Sequence, residues 1–432
     1  MTAVFPPGEE TEESKTSPVF ILSNSDSDPS TDAGVSDTED EAESDSDQRD
    51  ATPPVLNSPQ TAAVKGPHGD GDPEEPHRTT DTPKTQGNLH IHSELECGCE
   101  VMACQFSQDG SLLAVGLSDG TIKIFRPDSG DLVQTLKDST SILSSLPVTA
   151  LRFTLSPQAH CLLLATYASG RVRCWYVWGG DCMWGLREGG LSGGGEGKAP
   201  RQTLSLCVSP SGETAATGGS DSSILLYDLA THQRVLTCRA SSTRTLMDGH
   251  RFRVFAVTFH PEREREFISG GWDNTIQFWD TRQQNAVRML LGPHVCGDAL
   301  QIDPAANHIL SGSWRRGSAL EVWDYSSGRK LGGVPADPQG DSKIYSCHWL
   351  GQDHMVAAGS QLHMLRVINR HTMVTESRLQ GLSSAVFSSS VCVSGRCAGL
   401  VAASSGTRVF LLERGAQRPR KEHRSPATGD EA

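Results

Sequence analysis

The sequence predicts an all-β fold, a seven-bladed β-propeller, behind an acidic tail that stays disordered. Three observations predict it. The chain repeats with a period near 45 residues, since Cys99 to Glu413 divides into seven similar units; blades of four strands run to roughly 40–45 residues. Short β-rich runs alternate with Gly, Asp and Ser turn signals about every ten residues. The excess negative charge sits at one end.

The formal net charge is -14. Residues 1–90 carry 20 of the 52 acidic side chains and 5 of the 38 basic ones, so the rest of the chain is nearly neutral. That balance argues against a basic nucleic-acid surface. The start, MTAVFPPGEE, has neither a basic stretch nor an apolar core, and no run of about 18 apolar residues follows; a secretory leader and a membrane span are not expected. Twelve cysteines lie singly in apolar runs and are read as reduced core residues of a cytoplasmic or nuclear protein.

Residues 1–88 are rich in Ser, Pro, Asp and Glu and too poor in apolar groups to offset the entropy of ordering them. Within them Val19, Phe20, Ile21 and Leu22 precede SNSDSDPSTD. Four apolar residues beside an acidic flank resemble a SUMO-interacting motif, which adds a strand to a sheet edge; a chance hydrophobic island reads the same way. The block SDTEDEAESDSD sets carboxylates three residues after Ser36, Thr38 and Ser44. It resembles a substrate of casein-kinase-2-type kinases, where phosphate would add charge; a solubilising charge run is the plainer reading.

The first unit, CQFSQDGSLLAVGLSDGTIKIFRPDSGDLVQTL, reads as four strands joined by Asp-Gly and Ser-Gly turns, which supply the positive φ that tight hairpins need. Six further units follow the same order, through LLLATYASGRVRCWYV, SILLYDLATHQRVL, FISGGWDNTIQFWDTR, ILSGSWRRGSALEVWDY, HMVAAGSQLHMLRVIN and LVAASSGTRVFLLE. Residues 179–200, ending in GGLSGGGEGKAP, read as a flexible Gly-rich insertion between units two and three. The last unit lacks a fourth strand, and Leu89-His-Ile-His92 is placed to supply it and close the ring. The propeller is thus expected over 89–413 and a disordered basic tail over 414–432, where Arg418-Pro-Arg420-Lys421 is a weak nuclear-import signal.

Gly249-His250, Trp279-Asp280 and Trp323-Asp324 resemble the signatures of the WD-repeat family, and the resemblance covers nearly all the chain after residue 88. It implies a buried His–Asp–Ser–Trp hydrogen-bond network in each blade. Unit four matches every place, with His250, Ser269, Asp273 and Trp279; unit three keeps Asp221 but has Tyr227 for Trp and no Gly-His. The resemblance also puts the turn between second and third strands on one face with the loop entering the first. Units four and five carry Arg251, Arg253, Trp272, Trp314, Arg315 and Arg316 there. Aromatics and arginines anchor many interfaces, and arginine pairs carboxylates and phosphates, so an acidic or phosphorylated peptide is one expected partner. Trp279-Asp280-Thr281-Arg282 resembles the motif by which WD-repeat substrate receptors dock onto a cullin-RING ligase adaptor, with Arg282 as the contact.

Chemistry is sparse. His90, His92, Cys97 and Cys99 lie close together but lack the two-residue gap of a zinc knuckle. Gly197-Lys198 is followed by Ala199, with Ser192 where a phosphate loop has its first Gly. No Gly-x-Ser-x-Gly elbow or HExxH is present. The reading is a non-catalytic scaffold without metal or cofactor, whose partners are other proteins.

Overall fold

The structure, a computed structural model, describes residues 20–22 and 82–415, except 138–145, 155–160, 190–200, 244, 316, 339, 341 and 361–363. Every regular element among them is a strand. They build seven sheets, each with a core of four antiparallel strands in the order of a propeller blade. Blade one starts at Val101–Phe106, blade two at Val148–Phe153, blade three at Thr203–Val208 and blade four at Val254–Phe259. Blades five, six and seven start at Leu300–Asp303, Lys343–Leu350 and Ser389–Val391.

Burial falls from the second strand outwards, which is why the outer strands look polar in sequence. In blade one, Leu113–Leu117 is wholly buried, whereas only Leu136 of Leu132–Leu136 is. Neighbouring blades pack apolar faces together: Ile268, Phe278 and Leu290 of blade four share one core with Leu300, Ile309 and Val322 of blade five. No blade buries its faces alone, so the ring must close.

The closing strand is Leu89–Glu96, longer than the run foreseen. It pairs antiparallel with Arg408–Arg414, with Glu96 opposite Arg408. The Arg408 guanidinium donates to Glu94 at 2.6 Å. An N-terminal strand thus completes the C-terminal blade, and no half-built sheet remains there.

Two expected boundaries move. Lys84–Gln86 already pairs with the outer strand Thr375–Gln380 of blade six, so ordered structure begins before residue 89. Of the expected insertion at 179–200, Asp181–Arg187 is instead the fourth strand of blade two, in register with Arg171–Tyr176. Its mostly exposed side chains hid the strand from a reading based on apolar runs. Residues 190–200 lie outside the described residues. The backbone of Phe20–Leu22 runs parallel to the outer strand Arg288–Leu291 of blade four. Among the described residues, no helix is long and apolar enough to cross a membrane.

Candidate functional site

Blade four holds the expected network. The Trp279 indole N–H donates to Ser269 Oγ at 2.7 Å, and Ser269 Oγ lies 2.6 Å from His250 Nε2. His250 Nδ1 is 2.8 Å from Asp273, which also accepts the Arg251 backbone N–H. In the neutral ring this assigns one direction: indole to hydroxyl, hydroxyl to Nε2, and Nδ1–H to carboxylate. Burial pushes the Asp273 carboxyl up, but the His250 ring and the donors around it hold it below its ordinary value.

Blade three solves the same problem with charge. Glu188, at the end of blade two's outer strand, accepts from Arg201 Nε at 2.9 Å and Thr203 at 2.5 Å on one oxygen. Its other oxygen accepts from Thr217 at 2.5 Å and Tyr227 at 2.8 Å. Arg201 also donates to Ser223 and pairs with Asp221. Thr217 and Tyr227 occupy the register places of Ser269 and Trp279. A Cβ on Gly219 would collide with the Arg201 guanidinium, which explains a glycine there. Burial, then Glu188, raises the Tyr227 phenol, keeping it a donor.

The same register places hold Ser311 and Trp323 in blade five, bonded at 2.9 Å. In blades one, six and seven they hold Val115 and Phe125, Ala357 and Ile368, Ala403 and Leu412. Here polar donor and acceptor were replaced together by apolar groups, leaving neither of them unsatisfied.

The expected interface residues divide. Trp272 and Trp314 sit in the turns after the second strands of blades four and five. Register matches them to Ser118, Ala168, Ser220, Ser360 and Gly406 in the other blades. Five blades are built with a small residue there, so an indole is not what the fold requires. Trp272 stacks on Phe255, with Arg253 5.5 Å above its ring. Trp314 carries Lys343 3.6 Å from its ring centre and tilts against Tyr345, which packs on Phe387.

Two arginines expected to face a partner are engaged by the protein's own loops and strands, though both stay partly exposed. Arg251 donates to the carbonyls of Ser241, Thr243 and Leu246. Arg315 donates to the Gly292 carbonyl and to Glu321. Loop carbonyls without ladder partners need donors, and these side chains supply them. Arg316 lies outside the described residues, as do Val19, Ser36, Thr38 and Ser44; of Phe20, Ile21 and Leu22 only the backbone is described. Arg282 follows the third strand Thr275–Asp280, so it lies on the face opposite Trp272; Asp280 holds its exposed guanidinium. Of the zinc candidates, His90 lies on the closing strand and Cys97 is buried, its thiol pushed up to about 12 by desolvation. No group of three or more metal-ligating side chains occurs among the described residues.

The innermost strands define two layers of the central channel, which patterning could not show. At one register place stand Gln105, Arg152, Cys207, Thr258, Gln301, His348 and Ser390. Three residues earlier come Met102, Thr149, Leu204, Phe255, Asp298, Tyr345 and Phe387, all half-buried. Five of these are the extra residue of a β-bulge that recurs in blades one, two, three, four and six. A bulge re-aims a side chain away from the ladder. Arg152 of blade two reaches Asp298 of blade five at 2.8 Å. His348 lies between Gln301, at 2.8 Å, and the Ser389 carbonyl, at 2.6 Å.

Seven such sheets with the His250–Trp279 network define a WD-repeat β-propeller, and the chain belongs to that family. The model "WD domain, G-beta repeat" matches residues 199–228 and 240–280, and that of the "Anaphase-promoting complex subunit 4 WD40 domain" matches 88–156. The chain is 28% identical over 235 residues to cilia- and flagella-associated protein 52 of Chlamydomonas reinhardtii, covering 54% of this chain and 33% of that one. It is 28% identical to periodic tryptophan protein 2 of Arabidopsis thaliana over 42% of this chain and 17% of that one. Pre-mRNA-processing factor 19 of Mus musculus is 28% identical over 32% of this chain and 25% of its own. The chain thus spans a third or less of the length of these relatives.

Proposed function

We propose that the protein is a non-catalytic scaffold that holds a partner protein on the face carrying Trp272 and Trp314. The observation that supports this most is the pair of indoles on adjacent blades, where five other blades manage with Ser, Ala or Gly. Large half-buried aromatics that the fold does not need are the residues that anchor interfaces. The relatives named above come from different settings, so the likeness supports a shared platform rather than a pathway. A photo-crosslinking residue at position 253 tests the reading against one at Val393, which follows the inner strand of blade seven and so lies on the other face. Partners joined from 253 and absent from 393 support it; equal yields of the same partners from both refute it.

A second reading, docking to a cullin-RING adaptor, rests on Arg282, whose side chain is 63% exposed and oriented by Asp280. Affinity capture with Arg282→Ala should then lose the adaptor and keep other partners. Capture of no adaptor by the wild-type chain would sink it. An acidic or phosphorylated peptide retains Arg253 and Lys343 as its cations, and binding unchanged by Arg253→Ala with Lys343→Ala would remove that reading.

A further inference from the structure

Among the described residues two blades carry a fifth strand, and each edge matches the chemistry of the strand it takes. Blade six takes the polar Lys84-Thr-Gln86, antiparallel, with Gln86 opposite Arg378 and accepting from its guanidinium at 3.3 Å. Blade four takes Phe20-Ile-Leu22, parallel, with Phe20 opposite Arg288, Ile21 opposite Met289 and Leu22 opposite Leu290. Met289 sets that edge apart. At its register place the other blades hold Thr135, Gly185, Thr237, Gly333, Arg378 and Glu94, none of them buried. Met289 and Leu290 are both buried, at 2% and 1% exposure, and no other described outer strand buries two successive side chains. Successive side chains point to opposite faces of a strand, so this one is covered on both, as strands with a neighbour on either side are. Gly and charged residues, as in most of the other blades, instead blunt an edge against pairing.

We infer that the outer edge of blade four is a strand-acceptor site for an extended apolar segment, and that its occupant is Phe20–Leu22 of the same chain. The main-chain ladder supplies the attachment, and the match of residue types decides which edge each segment takes. Because both halves belong to one chain the pairing is intramolecular, so a match of three residues, weak between molecules, holds here. The pairing also has a direction. Leu291 lies opposite Thr275, and the Gly292 N–H donates to the Asn274 carbonyl, so this end of the strand is the end that carries Trp272. The parallel sense points the chain after Leu22 the same way. The anchored tail therefore starts its acidic run, SNSDSD, on the face of Trp272 and not on the face of Arg282.

The test uses the full chain with a benzophenone amino acid at position 20 or, separately, at position 24, irradiated at high dilution and mapped by mass spectrometry. The expected products are monomers joined from position 20 to Val287–Leu291 and from position 24 to Gly292–His294. Joining between copies overturns the claim that the occupant is the chain's own segment. Joining from position 24 to Thr281–Ala286, on the opposite face, overturns the direction. Hydrogen exchange then reads the ladder itself. Successive N–H groups of a strand point to opposite sides, so in the Ile21→Pro, Leu22→Pro double variant one proline removes a group that faces blade four. The edge-facing amides of Arg288–Leu291 should exchange about tenfold faster in that variant than in the wild-type chain. Those of Leu132–Leu136 in blade one should keep their rate, which controls for the fold. Equal rates at Arg288–Leu291 in the two proteins overturn the proposal whatever the crosslinks show, because contact without a ladder is not strand addition. Neither readout involves a partner protein, so failure here leaves the contrast between positions 253 and 393 untouched.

Discussion

Blades three and four fill the same space behind the same turn with opposite chemistries. Blade four uses groups from its own loop and strands, joined as a chain of short hydrogen bonds with one carboxylate at its end. Blade three takes its carboxylate from Glu188, just after the outer strand of blade two, and answers it with Arg201, thirteen residues further along the chain. Glu188 and Arg201 are almost wholly buried, with side-chain exposures of 0% and 4%. One brace is local to a blade; the other ties two blades together. The fold tolerates either because each satisfies its own members, and it tolerates apolar pairs in blades one, six and seven for the same reason.

That contrast sets an order of effects. Arg201→Ala leaves Glu188 charged and buried and should cost about 3–5 kcal/mol in a denaturant titration. Replacing Glu188 and Arg201 together by Leu and Met should cost much less, and an equal cost would show that the pair itself supplies the stability. In blade four, His250→Ala should cost about 2–3 kcal/mol, since it orphans Ser269 and one side of Asp273. Ser311→Ala in blade five removes one acceptor from the Trp323 indole and should cost about 1 kcal/mol by the same measurement.

Acidification tests the blade-four brace. In the folded protein the Asp273 carboxyl is held below its ordinary value of 3.8. Its contribution is fully present above that value and is lost as pH falls through the lower folded one. A thermal midpoint followed downward from pH 5 should therefore fall less in Asp273→Asn than in the wild-type protein, below about pH 4. Parallel curves would contradict the linkage.

Much of this was legible without a structure, and the exceptions share a cause. Blade four could be read because His250, Ser269, Asp273 and Trp279 keep a known spacing. The number of blades followed from the period, and the closing strand from a missing fourth run. Glu188 was invisible because it follows the largely exposed strand Asp181–Arg187 and precedes a Gly-rich run of sequence, so no apolar pattern or known spacing marks its pairing with Arg201. Arg251 and Arg315 looked like surface groups since sequence does not show which loop carbonyls lack donors. The channel layers need strand register, bulges included, before Asp298 can be seen among aromatic rings. Local patterns were readable; meetings between blades were not.

The measurement that bears most directly on the scaffold reading is quantitative affinity capture from cells with wild-type chain and the Trp272→Ala, Trp314→Ala double variant. Circular dichroism and the thermal midpoint of the same preparations report the fold. Five blades already carry small residues at these places, so the variant should stay folded, with a midpoint close to wild type, and lose its main partners. A folded variant that retains the same partners at the same yield would contradict the account.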